Sequence, residues 1–568
     1  MHYAKHVSQK VTPQSEQAKS TQQENHAGGF SFVIDKWSRL DRFLILGCEG
    51  STYYQSERSL TKENAKCVQD CLAEDGARAV QHIVDISLAG RAPKNDAAIF
   101  ALAVAAADSK VETVKAALSA LPQVCRIGTH LFQFMAALKS FRGNGRLVRE
   151  AVAKWYTDKK ADKLAMQVLK YQSRKIDNVD WSHRDLLRLS HTGMKEAPTP
   201  AHGAIFRWIV TGEKGLGARD VTRKLTGKTM HYDAIDKDAM PALLSAYTEM
   251  KSATDATEVV KLIKAHGFTR EMVPTEHLND VRVWEALLED MPMTAMIRNL
   301  GKMSKIGLLK PLSAASQKIV DTLSNTDALK KARVHPIALL SALKVYEQGH
   351  GERGSLTWTP EQKIVDGLNE AFYASFDLIE PTNKNWLLAL DISGSMDGGE
   401  IAGVPGLTPR IASAAMAMVV ARTEKNWHVI GYTAAGSYYG GSHQKNPDSG
   451  VTTIKISPKQ RLDEVVKVMQ SLPMGGTDCA LPILWAMKHK IEVDVFASFT
   501  DNETWAGAIH PFQALKQYRK QMGRPAKLIA VGMTATDYSI ADESDPGMMN
   551  VVGFDSAAIA VMQSFAKQ

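Results

Sequence analysis

Cysteine is scarce in this 568-residue chain, with five in all: Cys48, Cys67, Cys71, Cys125 and Cys479. The number is odd, Cys67 and Cys71 stand one helical turn apart, and no second pair follows at metal spacing. That argues against a disulfide framework or zinc knuckle and predicts buried thiols in a reducing compartment. Long apolar runs are missing as well, since no stretch reaches the roughly 18 residues that crossing a bilayer takes. Residues 1–29 are polar, rich in Gln, Ser and Lys, without the apolar heart of a secretory signal, and read as a disordered tail. After about residue 380 nothing resembles a GxGxxG turn or a Walker lysine loop, so nucleotide binding by that part of the chain has no support.

What remains is an ordinary soluble composition, 44% hydrophobic and 23% charged, at a length that predicts three or four folded units. The net charge is +8. Residues 381–568 carry 17 basic and 17 acidic side chains, so the whole excess falls in residues 1–380. Spread that thinly, it permits an anionic partner without demanding one.

From about Phe30 to Gln362 the apolar spacing is helical, as in Val111–Leu121, Ala161–Gln172, Ala256–His266 and Pro336–Glu347, with Pro and Gly between segments. Ten or more helices without an exact repeat predict a degenerate HEAT-like stack. Such stacks curve and can close on themselves. After about residue 380 short aliphatic strands alternate with helices: Trp386–Asp391, His428–Tyr432, Thr452–Ile456, Val493–Thr500, Lys527–Met533 and Val551–Phe554. That alternation predicts a doubly wound parallel sheet. The chain thus divides into a tail (1–29), a helical module (30–370) and an α/β domain (371–568).

Asp391, Ser393 and Ser395 alternate on a tight turn after the first of these strands. The carboxyl edge of a doubly wound sheet is where ligands bind. Thr477 in a Gly-Gly-Thr-Asp loop and Asp501 at a strand end are placed for the same rim. Hydroxyls and carboxylates without His or Cys suit a hard divalent cation, Mg²⁺ first and Ca²⁺ second. The five residues resemble the metal-ion-dependent adhesion site of von Willebrand factor A domains. That resemblance implies an open coordination position for a partner's acidic group, and no catalysis.

A second set lies in WSHRDLLRLSH (181–191), where Arg184, Arg188 and His191 share helical spacing; upstream, Lys170 and Arg174 are four apart. On spacing alone this is a solvated basic face, though one able to straddle phosphates. Arg298 with Lys302, the run Lys330–His335, and His350 with Arg353 each read as ordinary surface. Tyr432–Asp448 reads as a loop beside the metal rim.

Long, dispersed stretches resemble the Ro ribonucleoprotein family. They are LDRFLILGCEGSTYY (40–54), VCRIGTHLF (124–132), WSHRDLLRLSH, MIRNLGKM (296–303), KKARVHP (330–336), GHGERG (349–354), VVARTEKNW (419–427), GGTDCALPILWA (475–486), FTDNETWAG (499–507) and PAKLIAVGMT (525–534). The resemblance spans residues 30–568; the first 29 residues and the loop at 432–448 have no clear counterpart. It implies a ring of HEAT-like repeats (the TROVE module) joined by a von Willebrand A-like domain. It also implies small structured Y RNAs on a basic outer surface, misfolded RNA 3′ ends in the central hole, and no established enzymatic role. In that light Lys170, Arg174, Arg184, Arg188 and His191 match part of the RNA surface. Non-coding RNA quality control in the cytoplasm is the expected role, as a monomer, with an exoribonuclease such as polynucleotide phosphorylase as partner. The competing reading is a protein scaffold whose metal-site domain grips acidic partners.

Overall fold

The computed structural model describes residues 11–47, 65–212, 215–222, 229–232, 234–236, 239–351, 354–376, 380–401, 407–434, 447–472 and 474–568. Cys48, the end of the 40–54 stretch, residues 352–353 and most of the expected 432–448 loop (435–446) lie outside them.

Seventeen α-helices among the described residues, from Lys36–Leu46 to Gln362–Ala374, form the first module. Their ends follow local chemistry. Asp255 caps Ala256–His266 by accepting from Thr257 N and Glu258 N, and Gly267 ends that helix at φ 64°, where a side chain would be strained. Asp96–Ala106 is so rich in Ala that ten of its eleven residues are buried, and neighbouring helices pack closely around it. Successive helices stack on their neighbours along the chain.

The array closes. Arg333 Nη1 donates to Leu88 O at 3.0 Å, and His335 Nε2 lies 3.0 Å from Arg91 O, joining residues about 245 apart in sequence. The basic run 330–335, expected to be plain surface, is therefore a seam.

Two hairpins interrupt the helices: β3 (Ser173–Ile176) with β4 (Val179–Ser182), and β5 (Arg219–Thr222) with β6 (Thr229–Tyr232). They follow β1 (Gln22–Glu24) and β2 (Phe30–Val33), which lie in the stretch expected to be a tail and at its end.

The second module is a six-stranded sheet. Its strands are β7 (Asn385–Asp391), β8 (Asn426–Tyr432), β9 (Val451–Thr453), β10 (Val495–Thr500), β11 (Lys527–Gly532) and β13 (Met548–Val552), in the order β13-β11-β10-β7-β8-β9. Five strands are parallel; β9 runs antiparallel at the edge, so the sheet is mixed, not wholly parallel. Alternate strand residues enter two cores. Leu388, Leu390, Ala497 and Phe499 face helices Pro409–Thr423 and Ser556–Lys567 in a core continuous with the helical array. Leu387, Ala389, Phe496 and Leu528 face Leu481–Lys488 and Pro511–Met522.

The expected disordered tail is ordered from Val11 onward; residues 1–10 lie outside the described residues. β1 pairs with β2, and β2 with β12 (Tyr538–Ser539) of the α/β domain. Gln14, Gln22 and Asn25 are buried. Order comes from side-chain amides bonding to the domain, which a polar composition does not reveal. The chain thus leaves the α/β domain, runs round the ring and returns to it. Arg42 of the first helix donates to Thr536 O (2.7 Å) and Tyr538 O (2.9 Å), Arg91 to Val552 O (2.9 Å), and Phe372 of the last helix packs 6.1 Å from Phe554.

Candidate metal centre and nucleic-acid surface

β7 ends at Asp391 and β10 just before Asp501, adjacent strands whose carboxyl ends share one rim. Ser393 N donates to Asp391 Oδ1 at 2.9 Å, turning the chain so that Ser393 Oγ and Ser395 Oγ come within 3.0 Å. Thr477 arrives on a loop stitched to this turn by Gly394 N to Gly475 O, 3.3 Å. A Cβ at Gly476 would stand 2.8 Å from the Trp505 ring, so the loop needs glycine there. All five expected ligands, Asp391, Ser393, Ser395, Thr477 and Asp501, are buried.

Two of their oxygens, Thr477 Oγ1 and Asp501 Oδ2, are buried with no hydrogen-bond partner. Burial pushes both carboxylates above the ordinary range, and Asp501 adds repulsion at Asp391. Orphaned hard oxygens beside two like charges are what a divalent cation resolves, so the residues fit Mg²⁺. Such an ion would supply a Lewis-acid position for a further oxygen ligand.

Sequence reasoning missed three supports. Thr500 Oγ1 donates to Asp391 Oδ2 at 2.7 Å. Arg410, 1% exposed, donates through Nη2 to Ile392 O (2.9 Å) and Ser393 O (3.3 Å), through Nη1 to Met469 O (3.2 Å), and pairs with Asp397 at 2.9 Å. Gln14 is the third. Thr500 was legible as the residue before the strand-end Asp; Arg410 and Gln14 carry no local signal.

The basic set is arranged differently from its spacing. Lys170 is the last residue of helix Ala161–Lys170, whereas Arg174 sits on β3, so the pair does not share a helix face. The hairpin brings Arg174 opposite Trp181, directly before helix His183–Ser190. Ser182 and Asp185 form a reciprocal cap there, fixing the helix that carries Arg184 and Arg188; His191 ends it at φ 57°. Leu186 and Leu187 are buried beneath. Arg174, Arg184, Arg188 and His191 are exposed, and none has a carboxylate partner among the described residues. Lys170 is half-buried, its ammonium 5.6 Å from the Tyr171 ring.

A cleft of about 610 Å³ draws its walls from distant parts of the array. Lys94 comes from one side of the seam, Arg270, Arg298 and Lys302 from mid-array, and Tyr346 and Trp358 from its end. Trp358 stacks on Tyr346 (6.2 Å, 18°) and fills the space that Gly301 leaves. Arg298 and Lys302, expected to be ordinary surface, therefore line a cavity.

Residues 23–344 match the TROVE domain family and residues 385–566 the Ro60 vWA domain family. The chain is 39% identical to "RNA-binding protein RO60" of Deinococcus radiodurans over 557 residues, covering 98% of this chain and 97% of that protein. It is 35% identical to the Caenorhabditis elegans protein of the same name over 614 residues, covering 98% and 92%. The crystal structure of the Deinococcus radiodurans RO (RSR) protein superposes with a TM-score of 0.67 at 38% identity, covering 94% of this chain and 99% of that one.

Proposed function

The chain belongs to the Ro60 family, and from that premise we propose that it is an RNA-binding protein acting in non-coding RNA quality control. The observation that carries this reading is the group of uncompensated cations Arg174, Arg184 and Arg188, with the exposed His191 beside them, held on a rigid hairpin and capped helix. Some surface arginines elsewhere are paired, such as Arg461 with Asp463 (2.9 Å) and Arg524 with Asp494 (2.8 Å). Unpaired cations attract phosphates and release counterions on binding. They position a small structured, Y-like RNA, with Lys170 at the edge of the patch. The cleft between Lys94, Arg298 and Trp358 suits a single-stranded 3′ end, offering charge to phosphates and an aromatic wall to bases.

A second reading concerns the metal centre. The orphaned Thr477 Oγ1 and Asp501 Oδ2 favour a bound Mg²⁺ that grips an acidic group of a protein partner, with an exoribonuclease as the candidate. No catalytic step is assigned. Glu503, two residues after Asp501, is engaged by His26 Nδ1 (2.8 Å) and Ala27 N (3.3 Å). Among the described residues no helix is long and apolar enough to cross a membrane. Action as a cytoplasmic monomer belongs to the same proposal.

The test is a gel shift with a small structured RNA and the Arg184→Glu/Arg188→Glu chain. Loss of binding with melting intact supports the outer-surface reading; unchanged binding refutes it.

A further inference from the structure

The segment from Val11 to Val33 reaches the metal rim through Gln14. Gln14 is fully buried. Its backbone is pinned on both sides, Gln14 N donating to Gly507 O (2.8 Å) and Gln14 O accepting from Phe30 N (2.7 Å). Its amide nitrogen donates to Asp478 Oδ1 and to Ile509 O, both at 2.8 Å, and its amide oxygen accepts from Thr504 Oγ1. Thr504 Oγ1 in turn accepts from Cys479 N at 3.0 Å.

Asp478 follows Thr477, and Thr504 lies three residues after Asp501. One side chain therefore ties together the two loops that carry the orphaned oxygens. The slot is shaped for it: a Cβ at Gly507 would stand 2.2 Å from Gln14 Nε2 and 2.3 Å from Asp478 Oδ1. The rest of the segment holds the same loop. Asn25 Nδ2 donates to Thr504 O (2.8 Å) and Ser31 Oγ to Asn502 O (3.3 Å). A Cβ at Gly29 would collide with Thr504 O at 2.0 Å.

We infer that Gln14 is a positioning residue for the metal centre: its amide fixes the spacing of the Thr477 and Asp501 loops, so that docking of residues 11–33 and cation binding favour one another. This rests on the metal reading above. Because linkage is reciprocal, whatever the docked segment gives to metal affinity, the metal returns to the docked segment.

The experiment uses the full chain and Mg²⁺ or Mn²⁺ alone. Gln14→Met keeps the length and removes the amide; Lys19→Ala removes a contact of the same segment, to Asp542, that does not touch the metal loops. Calorimetric titration should show Gln14→Met raising the metal Kd at least tenfold and Lys19→Ala changing it less than twofold, at comparable melting temperatures. Equal Kd values for wild type and Gln14→Met overturn the inference, as does a Kd that tracks melting temperature in both variants. Hydrogen exchange on the wild type gives a readout that needs no variant to fold. Saturating metal should slow exchange across residues 14–31, and unchanged exchange overturns the inference. Wild type that takes up no metal sensitive to Asp391→Ala overturns the metal reading itself, an outcome distinct from a metal that binds without regard to Gln14.

Discussion

Replacing Arg184 and Arg188 together tests the RNA surface quantitatively. Both guanidinium groups are exposed on a helix whose buried side is Leu186 and Leu187, and neither has an ion-pair partner among the described residues. Substituting them by Ala should therefore cost less than about 0.5 kcal/mol of stability. Each phosphate contact contributes a salt slope of about 0.7–0.9 in log K against log salt. Losing two contacts should flatten the slope by about 1.4–1.8 and, at about 0.15 M salt, weaken binding roughly 20-fold. Reversal to Glu should weaken it further. The assay is filter binding of a small structured RNA from 50 to 300 mM salt, with Arg524→Ala as the control because that side chain is already paired with Asp494. Wild-type affinity and slope in the double variant, with an unshifted melting temperature, would refute the assignment.

Other outcomes follow from the same geometry. Arg270→Glu with Arg298→Glu should reduce binding of a single-stranded oligonucleotide more than about tenfold, because two cations of the cleft are reversed, yet leave hairpin RNA bound; competition between the two RNAs reads this out. Arg410→Met leaves three buried carbonyls without their donor and removes the partner of the part-exposed Asp397, at a cost of about 2–4 kcal/mol. A fall in melting temperature of roughly 10 °C is expected by calorimetry. The metal's effect on melting should grow with pH. Asp391 and Asp501 are raised in the fold, and Asp478 to about 6, by burial. The metal-free fold therefore holds extra protons, and these acids lose stability as pH rises from about 4 towards neutrality. Buried His130 and His183, held down at about 4, act in the opposite sense with or without metal and cancel in the difference. The melting shift between Mg²⁺ and chelator should be larger at pH 7.5 than at pH 5.5; an equal or smaller shift would count against the carboxylate pair as ligands.

Much of this architecture was legible because it is periodic. Ala256–His266 and Pro336–Glu347 have the observed ends, since capping and breaking residues flank an apolar stripe. The strand that ends in Asp391 announced itself as a short aliphatic run before a polar turn. Features set by distant partners were not legible. The β3–β4 hairpin turns through Asp177 and Asn178, both at positive φ, within a run whose charges happened to have helical spacing. Arg333 and His335 looked like surface because the carbonyls that receive them belong to residues 88 and 91. Gln14 looked like tail because an amide that bonds to water and one that bonds to a carboxylate have the same composition.

The path of the chain, out of the α/β domain, round the ring and back, sets an order of events during synthesis. Residues 11–33 leave the ribosome long before their partners, since Asp478, Thr504, His510 and Asp542 come some 460 to 530 residues later. The helical stack, built from neighbouring contacts, can form in the interval, and the nascent amino terminus must wait without a docking surface. A waiting segment made of Gln, Ser, Glu and Lys stays hydrated and does not stick to half-made helices. The polarity that made it look structureless is what lets it be the last piece to lock. A fragment beginning at residue 380 would emerge with that lock missing, its Gln14 slot open to water beside Asp478.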